Sequence, residues 1–519
     1  MTPTGPQGER QLSVGSRARW IALAVVCAGS LMNVLDTTIV GVALPAIRRD
    51  LGFSQASLAW VVNTYLLTYG GFLLLGGRLG DLFGHRRMFT AGIGIFTLAS
   101  LACGLAGGRG FLLAARAVQG FGGAVASAVA LSLIVSLFTE PPQRAKAMGV
   151  FGFVAAGGGS IGVLLGGVLT SLLSWHWIFL VNVPIGVAVC IASVRLLPGG
   201  PAGQRSGRLD VAGAVLVTAA VMLGVYAIVT SNQAGWISVR TDGALAAAAV
   251  LLAAFAAAES RAVFPLVPLR LLRLRNLTGA SVIGMLWAAA MFAWFFLSAL
   301  YLQLVLGYSP LQVGLSFLPA NLIMAVFSLG LSAKIVMRFG TRTPLALGLL
   351  LAGIGLALLA RAPIGGSFLG DVLPSMLLLG FGAGIAFNPM LLAAMSDVKP
   401  EESGLASGFV NTSFMMGGAL GLAILASLAA ARTGNLLASG AGALAALNGG
   451  YHIAFLAGAL FAATAALLSA VLLRTEQQAP APEDAFAHSS AEYGELDGIP
   501  MAESPTPCLQ GTARQEVRS

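Results

Sequence analysis

Charge is what this sequence has least of. Only 9% of its 519 residues are Asp, Glu, Lys or Arg, against about a quarter in a soluble domain. So small a charged fraction cannot clothe a globular surface in water. Cysteine is scarce as well: Cys27, Cys103, Cys190 and Cys508 are scattered with no CxxC pair, which argues against a disulfide framework or a metal centre. The four His are equally dispersed and no HExxH stretch occurs, so a metal-dependent membrane enzyme has no foothold. There is no GxxxxGK(S/T) run and no loop long enough for a nucleotide domain, which disfavours an ATP-driven pump.

What the chain has is apolar length. Hydrophobic residues make up 57%, Gly numbers 67 and the mean hydropathy is +0.87. A bilayer core is crossed by about 20 apolar residues. Such runs number about fourteen, near 20–44, 58–77, 89–106, 111–137, 148–173, 177–197, 210–230, 243–258, 278–303, 311–333, 344–361, 371–396, 405–430 and 451–473. The first is too long for a cleaved signal, and others follow it. The reading is an all-α integral membrane protein with the lipid bilayer as its solvent.

The net charge of +9 is a matter of topology. With the N-terminus in the cytoplasm, most Lys and Arg fall in inward-facing loops, as the positive-inside rule requires. The exceptions facing outward are Arg48, Arg49, Arg109, Arg240, Arg361 and Arg432. Charges spread over many loops form no nucleic-acid-binding face. An even number of spans returns the C-terminus to the cytoplasm. The polar, Pro-containing stretch 474–519 buries too little apolar surface to fold alone and reads as a disordered tail. Trp20, Trp60, Trp175 and Trp177 sit at span ends, where interfacial anchors belong.

Short strings recur in order. "LGFS" at 51–54 returns as "LGYS" at 306–309, "FGHR" at 83–86 as "FGTR" at 339–342, and "GFG" at 120–122 as "GFG" at 380–382, with offsets of 255, 256 and 260. The chain therefore reads as two pseudo-repeated six-helix bundles, 20–197 and 278–473. Two inserted helices and a basic linker lie between them at 198–277, and a cytoplasmic N-terminal tail at 1–19 precedes them. Paired bundles are the architecture of secondary transporters, which rock around a midplane site.

"GGRLGDLFGHRRMF" at 76–89 joins the second and third spans. Its glycines, Gly77 and Gly84 among them, permit a tight turn, and Arg78, Arg86 and Arg87 anchor the inner face. Asp81 is not needed for anchoring. It can pair with an Arg or sit at the positive N-terminus of a neighbouring helix, latching the bundles in one state; the plainer alternative is an ordinary basic loop.

At this point the chain resembles the major facilitator superfamily. Residues 76–89 look like its signature loop. "LDTTIVGVALPAI" at 35–47, "RAVQGFGGA" at 116–124 and "SWHWIFLVNVPIG" at 174–186 resemble motifs of its fourteen-helix drug–proton antiporter branch. The resemblance implies a proton-driven exporter of amphipathic drugs or antibiotics in a plasma (inner) membrane. It would need no cofactor beyond the proton gradient and would have small amphipathic compounds and protons as partners. In the fifth span "GGGSIGVLLGGVL" at 157–169 keeps the helix-packing glycines Gly158, Gly162, Gly166 and Gly167 but has Val163 where the family has proline. Gly41 stands where the first-helix motif often has Asn. A facilitator or importer on the same fold, or a non-transporting membrane sensor, is the alternative.

Asp36 is the one acid deep inside a span, and Arg116 the one base. A charge at membrane depth costs several kcal/mol, about 2.5 upward, so it is expected to face a wet cavity and to have a partner. At 1.5 Å per residue Asp36 lies about 12 Å, and Arg116 about 8 Å, from the outer ends of their helices, so the two can meet. The cation favours the carboxylate and desolvation favours the neutral acid. That balance suits Asp36 to carry a proton and Arg116 to tune it; a static ion pair orienting two helices is the alternative. Gln119, Asn182 and Asn388 are candidates for substrate hydrogen bonds or for helix–helix bonds. "WAAAMFAWFF" at 287–296, with Trp287 and Trp294, suits stacking on planar substrates or simple packing.

Overall fold

Lipid offers no partner to a free backbone amide, so a chain this apolar satisfies its backbone within helices. The computed structural model describes residues 16–54, 57–138, 140–198, 211–234, 238–262, 270–327, 331–398 and 402–473. Among these residues the regular structure is helical and there is no strand. The tail expected from 474 onward and most of the one expected before 20 lie outside the described residues.

The first bundle comprises α1 (Ser16–Leu51), α2 (Trp60–Phe83), α3 (His85–Gly104), α4 (Arg109–Leu137), α5 (Pro141–Leu172), the short α6 (Trp177–Leu180) and α7 (Asn182–Leu196). The inserted pair is α8 (Val211–Ala234) and α9 (Val239–Arg261). The second bundle comprises α10 (Arg275–Leu304), α11 (Pro310–Val326), α12 (Ser332–Phe339), α13 (Arg342–Leu359), α14 (Leu373–Met395), α15 (Ser403–Ala438) and α16 (Ala443–Leu472). Twelve helices are long and apolar enough to cross a membrane. The expected spans 148–173 and 311–333 contain only shorter apolar stretches, Ile161–Leu172 and Pro310–Val326. Among the described residues twelve helices therefore qualify as spans by length and composition, and the count of fourteen is not confirmed.

The repeat is visible in the packing. In the first bundle α1 packs on α5, α2 on α4, and α3 on both α4 and α7; in the second, α10 packs on α15, α11 on α14, and α13 on both α14 and α16. The halves meet where α5 packs on α11 and α2 on α15, and α8 leans on both α2 and α15. The recurring turn glycines keep one conformation: Gly52 and Gly307 have φ of 69° and 72°, and Gly84 and Gly340 have 93° and 73°. An L side chain is strained there. Gly84 alone joins α2 to α3, and its N–H caps α2 on the Gly80 carbonyl at 2.9 Å.

Backbone approach explains the glycine seam of α5. A Cβ on Gly162 would meet the Leu35 carbonyl oxygen at 3.0 Å and one on Gly166 the Ile39 carbonyl oxygen at 2.7 Å, while Gly158 faces Leu31 and Val34. Small residues at this spacing let two membrane helices touch backbone to backbone. Gly167 points the other way, against Pro310 and Leu311 of the second bundle. With Val163 in place of proline, α5 runs unbroken from Pro141 to Leu172. Trp175 departs from the anchor role expected of it: it is buried, and its indole N–H donates to Asp50 at 2.9 Å.

Candidate functional site

Two features define the site: a sealed polar cluster in the first bundle and a large cavity beside it. Arg116 of α4 and Asp36 of α1 form an ion pair at 2.5 Å, with side chains 1% and 0% exposed. It is the one ion pair among the described residues in which both partners are buried. Arg116 Nη1 also donates to Gln119 Oε1 at 2.8 Å, and Gln119 Nε2 donates to the other Asp36 oxygen at 2.7 Å. Each carboxylate oxygen therefore has a donor, the condition under which a buried charge is tolerated. Arg116 Nε donates to the Val61 carbonyl of α2 at 3.0 Å, and its guanidinium lies 4.4 Å from the Tyr65 ring centre. Outside this ring, Ser100 of α3 accepts from Gln119 at 3.1 Å and from Asn182 of α7 at 3.2 Å.

The cavity has a volume of about 920 Å³ and lies between the halves. That is drug-sized. Its first-bundle wall carries polar groups: Asn33, Thr37, Tyr65, Tyr69 and Ser127. Its second-bundle wall is aromatic: Phe292, Phe295, Phe317, Phe387 and Phe414. Phe292 and Phe387 each pack edge-on against Phe414, with ring centres 6.1 and 6.2 Å apart.

The cavity reaches toward the end of the bundle that carries Gly84, where Gly77, Arg78 and Asp81 form part of its rim. The opposite end is bridged. Gln303 of α10 donates to the Val42 carbonyl at 2.9 Å, and the Leu311 N–H donates to Ser171 Oγ at 3.2 Å. At the rim Asp81 pairs with His85 one turn on, at 3.5 Å, with both side chains well exposed. No arginine pairs with Asp81 among the described residues. Arg86 donates to the Val194 carbonyl at the end of α7, and Arg87 is exposed.

Several expected positions fall elsewhere. Asp36 and Arg116 do meet, but Asp36 does not line the cavity; Tyr65 and Thr37, which do, stand beside it. Gln119 and Asn182 belong to the sealed cluster and not to the cavity wall. Trp287 and Trp294, seven residues apart, share one face of α10 and are buried at 1% exposure each. The helical period instead turns Phe292, Phe295, Phe296 and Ala299 to the cavity. Asn388 is half-buried and does not line it, although its neighbour Phe387 does. Asn33 and Tyr65 were not singled out from sequence; Asn33 stands in the same apolar run as Asp36 and nearly one turn before it, which was the available signal.

Two bundles of repeated packing around a drug-sized central cavity define a membrane transporter. Residues 26–422 match the Major Facilitator Superfamily, and the chain belongs to that family. The puromycin resistance protein of Streptomyces alboniger is 39% identical over 457 residues, covering 88% of this chain and 90% of that protein. The cephamycin export protein of Amycolatopsis lactamdurans is 38% identical over 463 residues, covering 88% and 93%. Such relatives fit the drug-efflux branch of the family. A crystal structure of a POT family transporter, PepTSo, shares the fold with a TM-score of 0.64 at 15% identity, covering 88% of this chain and 97% of that one.

Proposed function

We propose that this protein exports amphipathic drug-like compounds by alternating access, driven by protons moving the other way. The observation that carries the reading is the ion pair of Asp36 and Arg116, sealed one helix face behind the wall of a large amphipathic cavity. Asp36 carries the proton and Arg116 tunes it. With Asp36 neutral, the partner of Arg116 is lost and the pair loosens. With Asp36 ionised, the pair closes as observed. The conformation at hand, bridged at the Val42 end, is then the inward-facing one after the proton has left.

In this reading the Gly84 end and both termini face the cytoplasm, and the membrane is the plasma (inner) membrane. Asp81 with Gly77, Arg78, Gly84, Arg86 and Arg87 forms a latch that engages when the inner mouth closes; in the open mouth Asp81 rests against His85. No cofactor is required beyond the proton gradient. The test is export of puromycin and of cephamycin C from energised cells, with and without a protonophore. Protonophore-sensitive exclusion that disappears in Asp36→Asn supports the proposal. Unchanged uphill export by that variant removes Asp36 from the mechanism.

The unbroken α5, with Val163 for proline, favours a second reading, a facilitator without coupling. A facilitator equilibrates its compound with or without a protonophore.

A further inference from the structure

The sealed pair poses a problem that the cavity must solve. Neither Asp36 nor Arg116 lines the cavity, so cargo within it does not reach them. Something has to stand between them and touch both. Tyr65 of α2 lines the cavity, is itself 1% exposed, and has its ring 4.4 Å from the Arg116 guanidinium. Four residues earlier on the same face, the Val61 carbonyl accepts from Arg116 Nε at 3.0 Å. Two successive turns of α2 therefore hold the arginine.

The other end of Tyr65 is not committed. Its hydroxyl lies near the Thr37 side chain; the Thr37 O–H donates to the Asn33 carbonyl at 2.8 Å, so Thr37 can only accept from Tyr65, and the Tyr65 oxygen keeps its lone pairs for an incoming donor. Tyr65 Oη makes no well-formed hydrogen bond among the described residues, and neither does Asn33 Oδ1. Both are buried polar atoms, and both residues line the cavity. They lie together: a Cβ on Gly123 would be 3.0 Å from Asn33 Oδ1 and 3.2 Å from Tyr65 Oη. The Asn33 amide nitrogen is already used, donating to Ser127 at 2.9 Å, which leaves its oxygen for an incoming donor. Buried polar atoms without partners are uncommon in native proteins, and a ligand is one standard reason for them.

We propose that Tyr65 Oη and Asn33 Oδ1 form the polar subsite for cargo, and that the Tyr65 ring relays cargo binding to Arg116. The cargo suited to it is uncharged where it meets this corner, bears an amide N–H or hydroxyl as donor, and lays an apolar face on the Phe292, Phe387 and Phe414 wall. Cargo seated on the hydroxyl fixes the ring against the guanidinium and the guanidinium against Asp36. The protonated Asp36 carboxyl then gives its proton to water and remains as the paired carboxylate. α2 is well placed to spread the effect. It carries Asp81 at its end, and midway the Thr412 hydroxyl of α15 donates to its Gly70 carbonyl at 3.0 Å.

The inference rests on the proton-driven export reading, and the experiment separates the two. Purified protein in lipid nanodiscs is titrated with puromycin and with cephamycin C, both of which carry amide N–H groups. Binding is followed calorimetrically, and proton release by a pH dye in weak buffer. Wild-type protein is expected to bind at least one of the two and release a proton. Tyr65→Phe and Asn33→Ala each lose a hydrogen bond and bind roughly 10-fold more weakly, yet release the proton at saturation. Tyr65→Leu, or Tyr65→Met should the first not assemble, releases none at saturation. Asp36→Asn is expected to bind without release, which separates relay from a merely structural loss.

Wild-type affinity in both Tyr65→Phe and Asn33→Ala overturns the subsite. Proton release by Tyr65→Leu or Tyr65→Met at saturation overturns the relay. Failure of wild-type protein to bind either compound overturns the export reading and this inference with it.

Discussion

The two halves of this transporter share their packing and differ in their chemistry. The glycine seam repeats: Gly158 and Gly162 of α5 meet α1, and Gly417 and Gly421 of α15 meet Met285 and Ala289 of α10. The ion pair does not repeat. At the offsets of the repeated strings, Asp36 corresponds to Met291 and Arg116 to Met376. Met376 is fully buried, and Met291 lines the cavity. One half holds the buried charges; the other lines the cavity mainly with aromatic rings, with Ser407 and Asn411 as its polar members. Symmetric packing suits the rocking of two halves, while the proposed proton site belongs to only one of them.

The largest expected effect comes from making the halves alike in the wrong way. Arg116→Ala leaves the Asp36 carboxylate buried and unpaired, a loss of about 3–5 kcal/mol. Thermal unfolding in detergent checks it. The double variant Asp36→Met with Arg116→Met copies the second half. It is expected to regain most of that loss, because apolar replacement of a whole buried pair is close to neutral, and to abolish uphill export. Recovery of stability without recovery of transport would sharpen the contrast between structural and chemical roles.

A smaller effect tests the symmetry itself. Gly162→Val and Gly421→Val both force side chains into backbone contacts, so each is expected to cost about 1–3 kcal/mol, and by similar amounts. Unequal losses by more than that spread, measured by the same unfolding assay, would break the equivalence of the two seams. Comparable in size is Phe414→Leu on the aromatic wall. It removes two ring contacts worth about 0.5–1.5 kcal/mol each, and should weaken cargo binding while protonophore-sensitive export survives.

Asp81→Asn should change stability least, within about 0.5 kcal/mol, because its pair with His85 is exposed. Transport rate is where that variant should show itself, since the proposed latch acts only when the mouth is closed. A transport rate equal to wild type would return the 76–89 stretch to an ordinary basic loop.

The parts legible in sequence were those set by short range and by solvent. Apolar runs locate nearly all of the helices, since lipid forces every span to satisfy its own backbone. The pairing of Asp36 with Arg116 was legible because each is alone of its sign at membrane depth. The cavity wall was not. Trp287 and Phe292 stand in one apolar stretch, and composition alone does not say which face of α10 meets the other half. Asn182 was polar enough to be noticed, but its assignment to the sealed cluster depends on Ser100, a residue with no pattern to mark it.

By itself, then, the amino-acid order settled the solvent, the helices, the repeat and the family. These follow from hydropathy and local spacing, quantities that a linear chain carries with it. Only the folded bundle decided that the ion pair is shut away from the cavity, that Tyr65 stands between them, and that the cavity reaches toward the Gly84 end while the other end is bridged. Those facts depend on how α1, α2 and α4 turn about their own axes and how far the halves are tilted. Rotation and tilt are fixed by contacts between distant segments, which no local pattern encodes.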